Sequence, residues 1–346
     1  MTEQRSKIAE IAAAAGVSIP TVSKVLHQRP DVAAKTRERI ERIIAESGYV
    51  HNRGIHSQIE GQGSKTQLID LISPNALDSE YGLEILRGIE EVLSQTENRL
   101  ALYSMHNDTP RERQWLSKLS NKTTDGALLF TPLDRTRHLE KLREQHIPCV
   151  VIDDVLQLEP DIPCVGATNW IGGLTAVEYL LGLGHRRIAI ITGIATHLTS
   201  RARLAGYRAA LETQGIAVDP SLIRPGDFEH ESGYRETLAL LALPEPPTAL
   251  FVASDAQAIG VYRALYTKNL HVPNDMSVIG FDDIPSAARM SPPLTTIRQP
   301  LREMGRMATQ MLLQMIAGET LENKRVELAT SLIVRESCMA LEKSGL

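Results

Sequence analysis

Apolar residues keep a helical rhythm over the first fifty positions and then shift to short, strand-length runs. In SKIAEIAAAAGVSIPTVSKVLHQ (6–28), Ile8, Ile11 and Ala12 share one helical face. After a break, Val22, Val25 and Leu26 repeat the i, i+3, i+4 spacing. Gly16 lies in the break and accepts the positive φ that a tight turn demands. Ser18 is a good N-cap, and Pro20 falls just inside the second helix, where a missing N–H costs little. A third amphipathic stretch, DVAAKTRERIERIIAES (31–47), supplies Val32, Ile40, Ile43 and Ile44 to close a small three-helix core. Two short helices joined at a Gly turn form the layout of a helix-turn-helix that reads DNA. The outer face of the second helix then carries Ile19, Pro20, Thr21, Ser23, Lys24 and His27, groups suited to base edges and phosphates.

Residues 51–67 (HNRGIHSQIEGQGSKTQ) are polar and Gly-containing and predict a linker. Beyond them the apolar runs LIDLIS (68–73), LALYSM (100–105), GALLFTP (126–132), CVVIDD (149–154), IAIITG (188–193), ALFVAS (249–254) and SVIGFDD (277–283) read as strands. Amphipathic segments alternate with them: Tyr81–Ser94, Ile171–Leu183, Arg201–Gln214, Gly233–Leu241, Ala256–Lys268 and Leu301–Ile316. Alternation of this kind predicts parallel sheets covered by helices on both faces. The strands are too many for one half-domain, so two doubly wound lobes with a break near 155–175 are expected. A small molecule would bind between them, beyond the carboxyl ends of the strands.

Composition narrows the function classes. The chain has 346 residues, 42% apolar and 23% charged, which suits a globular protein of two or three domains. No apolar run approaches about 18 residues, so no membrane partner is expected. The N-terminal segment is polar and lacks the apolar core of an export signal, which points to the cytoplasm. Cys149, Cys164 and Cys338 are too few and too scattered for a disulfide framework or a zinc site. The net charge is −5, yet residues 1–60 hold nine Lys and Arg against seven Asp and Glu. Phosphate contact would therefore rest on local placement rather than on a broad basic field. Enzyme signatures are lacking: GLGH (182–185) has neither the Walker lysine nor GxGxxG spacing, and no GxSxG elbow occurs. Asp153–Asp154 and Asp282–Asp283 are paired carboxylates at strand ends, without the His or Glu set that a metal or acid–base site needs. No enzymatic activity, metal or cofactor is expected.

The segments AGVSIPTVSKVLHQRPDVAAKTRERI…ESGYVHNR (15–53), LGHRRIAIITG (183–193), SRARLAGYRAAL (200–211), FVASDAQAIGVYRAL (251–265), VPNDMSVIGFDD (272–283) and SPPLTTIRQP (291–300) resemble, in order and in spacing, the lactose-repressor (LacI) family of bacterial transcription regulators. The resemblance covers nearly the whole chain. It implies an α/β fold: an N-terminal three-helix helix-turn-helix headpiece (1–50), a hinge (51–66), and a core (67–346) of two doubly wound, parallel-sheet lobes like a periplasmic binding protein. The first lobe is expected over about 67–165 plus 284–300, and the second over about 166–283 plus 301–346. The implied function is a homodimeric repressor of carbohydrate-utilisation genes. It would bind a pseudo-palindromic double-stranded DNA operator and answer to a sugar-like effector in the cleft, with a purine or other metabolite as the alternative.

Carried over by position, Ile19, Pro20 and Lys24 would choose bases, while Thr21, Ser23, Thr36 and Asn52 would mostly hold the backbone, with Ser18, His27 and Arg53 beside them. The hinge departs from the family pattern, because Gln58 stands where a minor-groove Leu is expected. Ile59, next to it, becomes the candidate wedge. For the effector, Arg203 matches the position that grips hydroxyls or a carboxylate, Asp255 an acceptor of paired hydroxyls, Phe228 an aromatic wall and Gln299 a polar contact near the crossovers. Tyr81, Asn169 and Trp170 are further candidates. Asp255 could equally cap the helix that follows it.

Overall fold

The computed structural model describes residues 11–26, 32–46, 66–73, 78–104, 109–119, 123–130, 135–153 and 161–341. The chain divides into two compact units, 1–65 and 66–346.

In the first unit, α1 (described over 11–15) ends at Gly16, whose φ of 61° is the left-handed value the sequence predicts. Gly16 N donates to Ala13 O and Val17 N to Ala12 O, the paired bonds of a Schellman cap. Next come α2 (Ile19–Leu26) and α3 (Ala34–Glu46). Ile11, Ala12, Ala15, Val22, Val25 and Ile40 form a buried core, with Val17, Val32 and Ile43 packed around it. This is the expected inward face. Ile8 lies outside the described residues, as do the side chains of Leu26 and Ile44.

The second unit holds two six-stranded sheets. The first has the order β11-β5-β4-β3-β1-β2, from β1 (Leu68–Ser73), β2 (Arg99–Ser104), β3 (Gly126–Phe130), β4 (Cys149–Ile152), β5 (Cys164–Ala167) and β11 (Arg325–Leu328). The second runs β12-β10-β9-β8-β6-β7, from β6 (Ile188–Ile191), β7 (Ile223–Arg224), β8 (Ala249–Val252), β9 (Ser277–Asp282), β10 (Thr295–Arg298) and β12 (Ser331–Ile333). Every pairing is parallel except β10 with β12. Central strands such as GALLF and IAII are buried at every position, as parallel strands covered on both faces require.

The helices are α4 (Glu80–Leu93), α5 (Thr109–Leu119), α6 (Arg135–Glu144), α7 (Asn169–Gly182), α8 (Leu198–Thr213), α9 (His230–Leu241), α10 (Asp255–Thr267) and α11 (Leu301–Ala317). Three pairs cross at reciprocal glycines. A Cβ on Gly88 of α4 would strike the Arg302 carbonyl, and one on Gly305 of α11 would strike that of Ile85. Gly173 and Gly206 do the same for α7 and α8, and Gly233 and Gly260 for α9 and α10. Glycine at both sides of a crossing lets the backbones touch.

The chain passes between the lobes three times, at 167–169, 299–301 and 328–331, and this corrects the expected lobe boundaries. Residues 295–298 do not join the first lobe, because β10 hydrogen-bonds to β9 and β12 in the second sheet. Nor do 301–328 join the second. Leu301, Met304, Ala308, Met311 and Leu312 of α11 pack with Ile69, Ile85 and Ile89 in the first lobe's core, and β11 pairs with β5. β10 (TTIR) is β-branched but only four residues long, with no apolar run to mark it. The apolar stripe of α11 would suit either sheet, and its glycine crossing with α4 decides the choice. The crossovers are tied together: Thr168 N donates to Leu328 O at 3.0 Å, and Thr330 N to Thr168 Oγ1 at 2.9 Å.

Candidate effector cleft and DNA-reading face

On the headpiece, burying Val22 and Val25 turns the other side of α2 outward. Ile19 is 50% exposed, large and apolar at the helix start; Pro20 and Lys24 are exposed, and Thr21 is half-buried. Ser18 precedes the helix. Its Oγ accepts weakly from Thr21 N at 3.4 Å and lies 2.9 Å from Thr21 Oγ1. Thr36 and Arg37, at the start of α3, are half-buried. An exposed Ile beside a Pro offers apolar contact and shape, and Lys24 offers a cation that can donate to guanine or phosphate. Ser23 lies in α2, but its side chain, like His27, Asn52, Arg53, Ile59 and the linker 51–65, is outside the described residues.

In the core unit the carboxyl ends of both sheets meet at the crossovers, where the strands deliver their chemistry. Asp153 follows β4 with φ 71°, and Asp282 ends β9 with φ 117°. Such backbone values are costly for a side-chain-bearing residue, least so for Asp and Asn, and they gather at functional sites. Arg203, on α8, is 3% exposed. The Gly173–Gly206 crossing sets α8 against the start of α7, where Arg203 Nε donates to Asn169 Oδ1 at 2.8 Å. Arg203 Nη1 donates to Ala253 O and lies 3.6 Å from Asp282 Oδ1, and the guanidinium sits 3.8 Å from the Phe281 ring centre. Gln299, in the second crossover, donates through Nε2 to Asp282 Oδ1 at 2.7 Å. Across the gap, Tyr81 at the start of α4 stacks on Phe130 and lies beside Asp153.

The electrostatics follow from burial. Desolvation pushes the Asp153 carboxyl up to about 6 and the Asp282 carboxyl up to about 7, with Arg203 pulling both back. Burial and the neighbouring acids raise the Tyr81 hydroxyl as well. Three buried polar atoms here lack a well-formed hydrogen bond, Tyr81 OH, Asp153 Oδ1 and Gln299 Oε1, with the Tyr81 hydroxyl and the Asp153 carboxyl close enough to interact with each other. Orphaned buried groups are rare, and a cluster of them marks a place for a ligand. Beside them opens a cavity of about 250 Å³ lined by Asp153, Thr168, Asn169, Trp170, Leu198 and Glu327, among others.

Residues 7–52 match the bacterial regulatory proteins of the lacI family, and 177–338 match a periplasmic binding protein-like domain. The ribose operon repressor of Escherichia coli (strain K12) is 34% identical over 95% of this chain and 98% of its own length. The chain belongs to the LacI family. It is a DNA-binding regulator with an effector-binding domain. Among solved structures of the family, the regulator CelR in complex with cellobiose superposes with a TM-score of 0.74 (32% identity, 95% of this chain, 99% of that one). The lac repressor dimer bound to operator and an anti-inducer gives 0.71 (30% identity, 95% of this chain, 98% of that one).

Against this LacI-family frame, the structure gathers Tyr81, Arg203 and Gln299 at the cleft and places Asn169 and Trp170 on the cavity wall. Asn169 acts inward: its Nδ2 donates to Ala167 O at 3.0 Å while its Oδ1 holds Arg203. Trp170 is 45% exposed at the cavity rim. Phe228 is half-buried, its ring 5.6 Å from the Arg203 guanidinium and 5.8 Å from the His197 ring. Asp255 stands apart. Its Oδ1 accepts from Thr296 Oγ1 at 2.6 Å and its Oδ2 from Ile284 N at 3.0 Å, so both oxygens are committed within the protein. It is the first residue of α10, and Ser254 before it is the cap. The structure also brings Asp153, Asp282 and Glu327 to the cleft, whereas in the sequence the two Asp residues read only as metal or acid–base pairs and nothing singles out Glu327. Their signal was position: a carboxylate ending a parallel strand at a lobe junction faces the ligand crevice. Asp283, the outer member of its pair, instead bridges Arg298 and Arg335, each at 2.6 Å.

Proposed function

We propose that the protein is a homodimeric repressor of carbohydrate-utilisation genes that grips a pseudo-palindromic operator, one headpiece per half-site. A small polyhydroxylated solute in the cleft then changes that grip. The observation that carries the effector reading is a group of poorly satisfied buried atoms, Tyr81 OH and Asp153 Oδ1 of the first lobe and Gln299 Oε1 of the crossover, with Asp153 on the wall of a cavity. A solute rich in hydroxyls would satisfy them and tie the lobes together. Arg203 and Asp282 would hold it from the second lobe, Tyr81 and Asp153 from the first, with Trp170 and Phe228 as apolar walls and Asn169 as the residue that aims Arg203. Asp255 would brace the floor. On DNA, Ile19, Pro20 and Lys24 would read bases. Ser18, Thr21, Ser23, Thr36, Asn52, Arg53 and His27 would hold the backbone or flank it, and Ile59 would enter the minor groove. The protein would perform no catalysis and would act in the cytoplasm, beside its DNA.

Linkage fixes the thermodynamics: the solute weakens DNA binding only as much as DNA weakens solute binding. Selection of bound sequences from a random duplex pool, followed by mobility shift with ribose, cellobiose and adenosine, tests the reading. A palindromic motif whose retention changes with one of them supports it. Equal retention of the selected and a scrambled duplex, whatever is added, overturns it.

A further inference from the structure

The charge balance of the cleft says what kind of solute it takes, and this step rests on the effector reading above. Among the described residues lining the cavity, two carry charge, Asp153 and Glu327, and both are carboxylates. Arg203 lies behind that lining, and its guanidinium already serves Asn169 Oδ1 and the Ala253 carbonyl while facing Asp282 at 3.6 Å. One guanidinium thus stands against Asp153 and Asp282 together, with Glu327 at the rim. Asp153 Oδ1, on the cavity wall, lacks a well-formed hydrogen bond and accepts when the carboxyl is ionised. Among the described residues lining the cavity, none is a cation that could hold an anion.

We propose that the cleft selects an uncharged, donor-rich solute and excludes its phosphate ester or acid. A phosphate placed there would meet the carboxylates of Asp153 on the wall and Glu327 at the exposed rim, where like charges repel and an anion without a cation is costly to bury. The regulator therefore senses a sugar before phosphorylation, and a phosphoryl-transfer step acting on that sugar would erase the signal.

Isothermal titration of the full chain with matched pairs tests this: ribose and ribose 5-phosphate, glucose and glucose 6-phosphate, cellobiose and cellobiose 6-phosphate. The expected result is that at least one neutral member binds and that its ester binds at least about tenfold more weakly. Asp153→Asn, or Glu327→Gln at the rim should the first variant fail to fold, should shrink that ratio. An ester that binds as tightly as its parent overturns the charge argument and leaves the effector cleft standing, and so does a ratio unmoved by either variant. If no member of any pair binds, the effector reading falls and this inference with it.

Discussion

Removing the Arg203 guanidinium isolates what the cleft asks of it. The side chain is 3% exposed and compensates Asp282, which is itself 5% exposed. Arg203→Ala leaves that carboxylate buried beside Asp255 and Asp153 and strips partners from Asn169 Oδ1 and the Ala253 carbonyl. Breaking one side of a buried pair costs about 3 kcal/mol. For a unit of this size that is a fall in Tm of roughly 6–9 °C. The loss must depend on pH. Asp282 already titrates near 7 because burial disfavours its charge, and losing Arg203 raises it further. A raised carboxyl makes the folded state bind more protons than the unfolded one, so stability falls as pH climbs from the unfolded value near 4 through the folded one. The Tm gap between wild type and variant should therefore be small at pH 5.5, where the proton neutralises Asp282, and fullest at pH 8. Adding Asp282→Asn should recover much of the pH 8 loss, because the carboxylate facing the lost guanidinium at 3.6 Å is then uncharged. Differential scanning calorimetry of wild type, the single variants and the double variant at both pH values gives the answer. An equal loss at both pH values, or no recovery in the double variant, would refute the argument.

Three further outcomes follow from the geometry. Gly305→Ala should destabilise by about 1–3 kcal/mol, because its Cβ meets the Ile85 carbonyl, whereas Gly182→Ala, with open space around it, should be neutral or slightly stabilising; thermal melts compare them. Asp255→Ala should cost about 2 kcal/mol by orphaning the Ile284 N–H, while Asp255→Thr, which keeps an oxygen acceptor, should cost less and leave the affinity for a bound sugar within about twofold; a fall in affinity beyond about tenfold with the fold intact would return Asp255 to the ligand. Lys24→Ala should weaken operator binding by about 1–3 kcal/mol and random-duplex binding far less; equal losses in a salt-matched mobility shift would assign Lys24 to phosphate instead of bases.

What the sequence made legible is what its local periodicity encodes. The headpiece core could be read because Ile11, Val22, Val25 and Ile40 stand at helical spacing and Gly16 marks the turn. Seven strands could be read because fully buried parallel strands are near-continuous apolar runs. The missed strands are short or lie at sheet edges: Arg325–Leu328 alternates exposed and half-buried positions, and Ile223–Arg224 is two residues long. Choices between equivalent partners were hidden for a different reason. The stripe of α11 is apolar whichever lobe it covers, and what sends it to the first is the backbone contact between Gly88 and Gly305, a pairing across more than two hundred residues that no window can see.

The same limit explains the exchange of roles between Asp255 and Asp282. Both are acids at the end of a buried strand, and only the fold shows that Thr296 and Ile284 engage one while the other faces Arg203. Their division of labour has a physical logic. Asp255 fastens α10 to the segment that follows β9, so the backbone carrying Asp282 cannot relax away from the guanidinium when the cleft is empty. Burial, with the Asp153 carboxylate adding to it, raises Asp282 toward neutrality, and on the proposed reading the hydroxyl donors of a solute would stabilise its charged form. Such a site would gain ligand affinity from hydrogen bonds poorly met in the empty protein. Tyr81 and Asp153 belong to the first lobe and Gln299 to the crossover, so a solute that satisfied them would draw the lobes together.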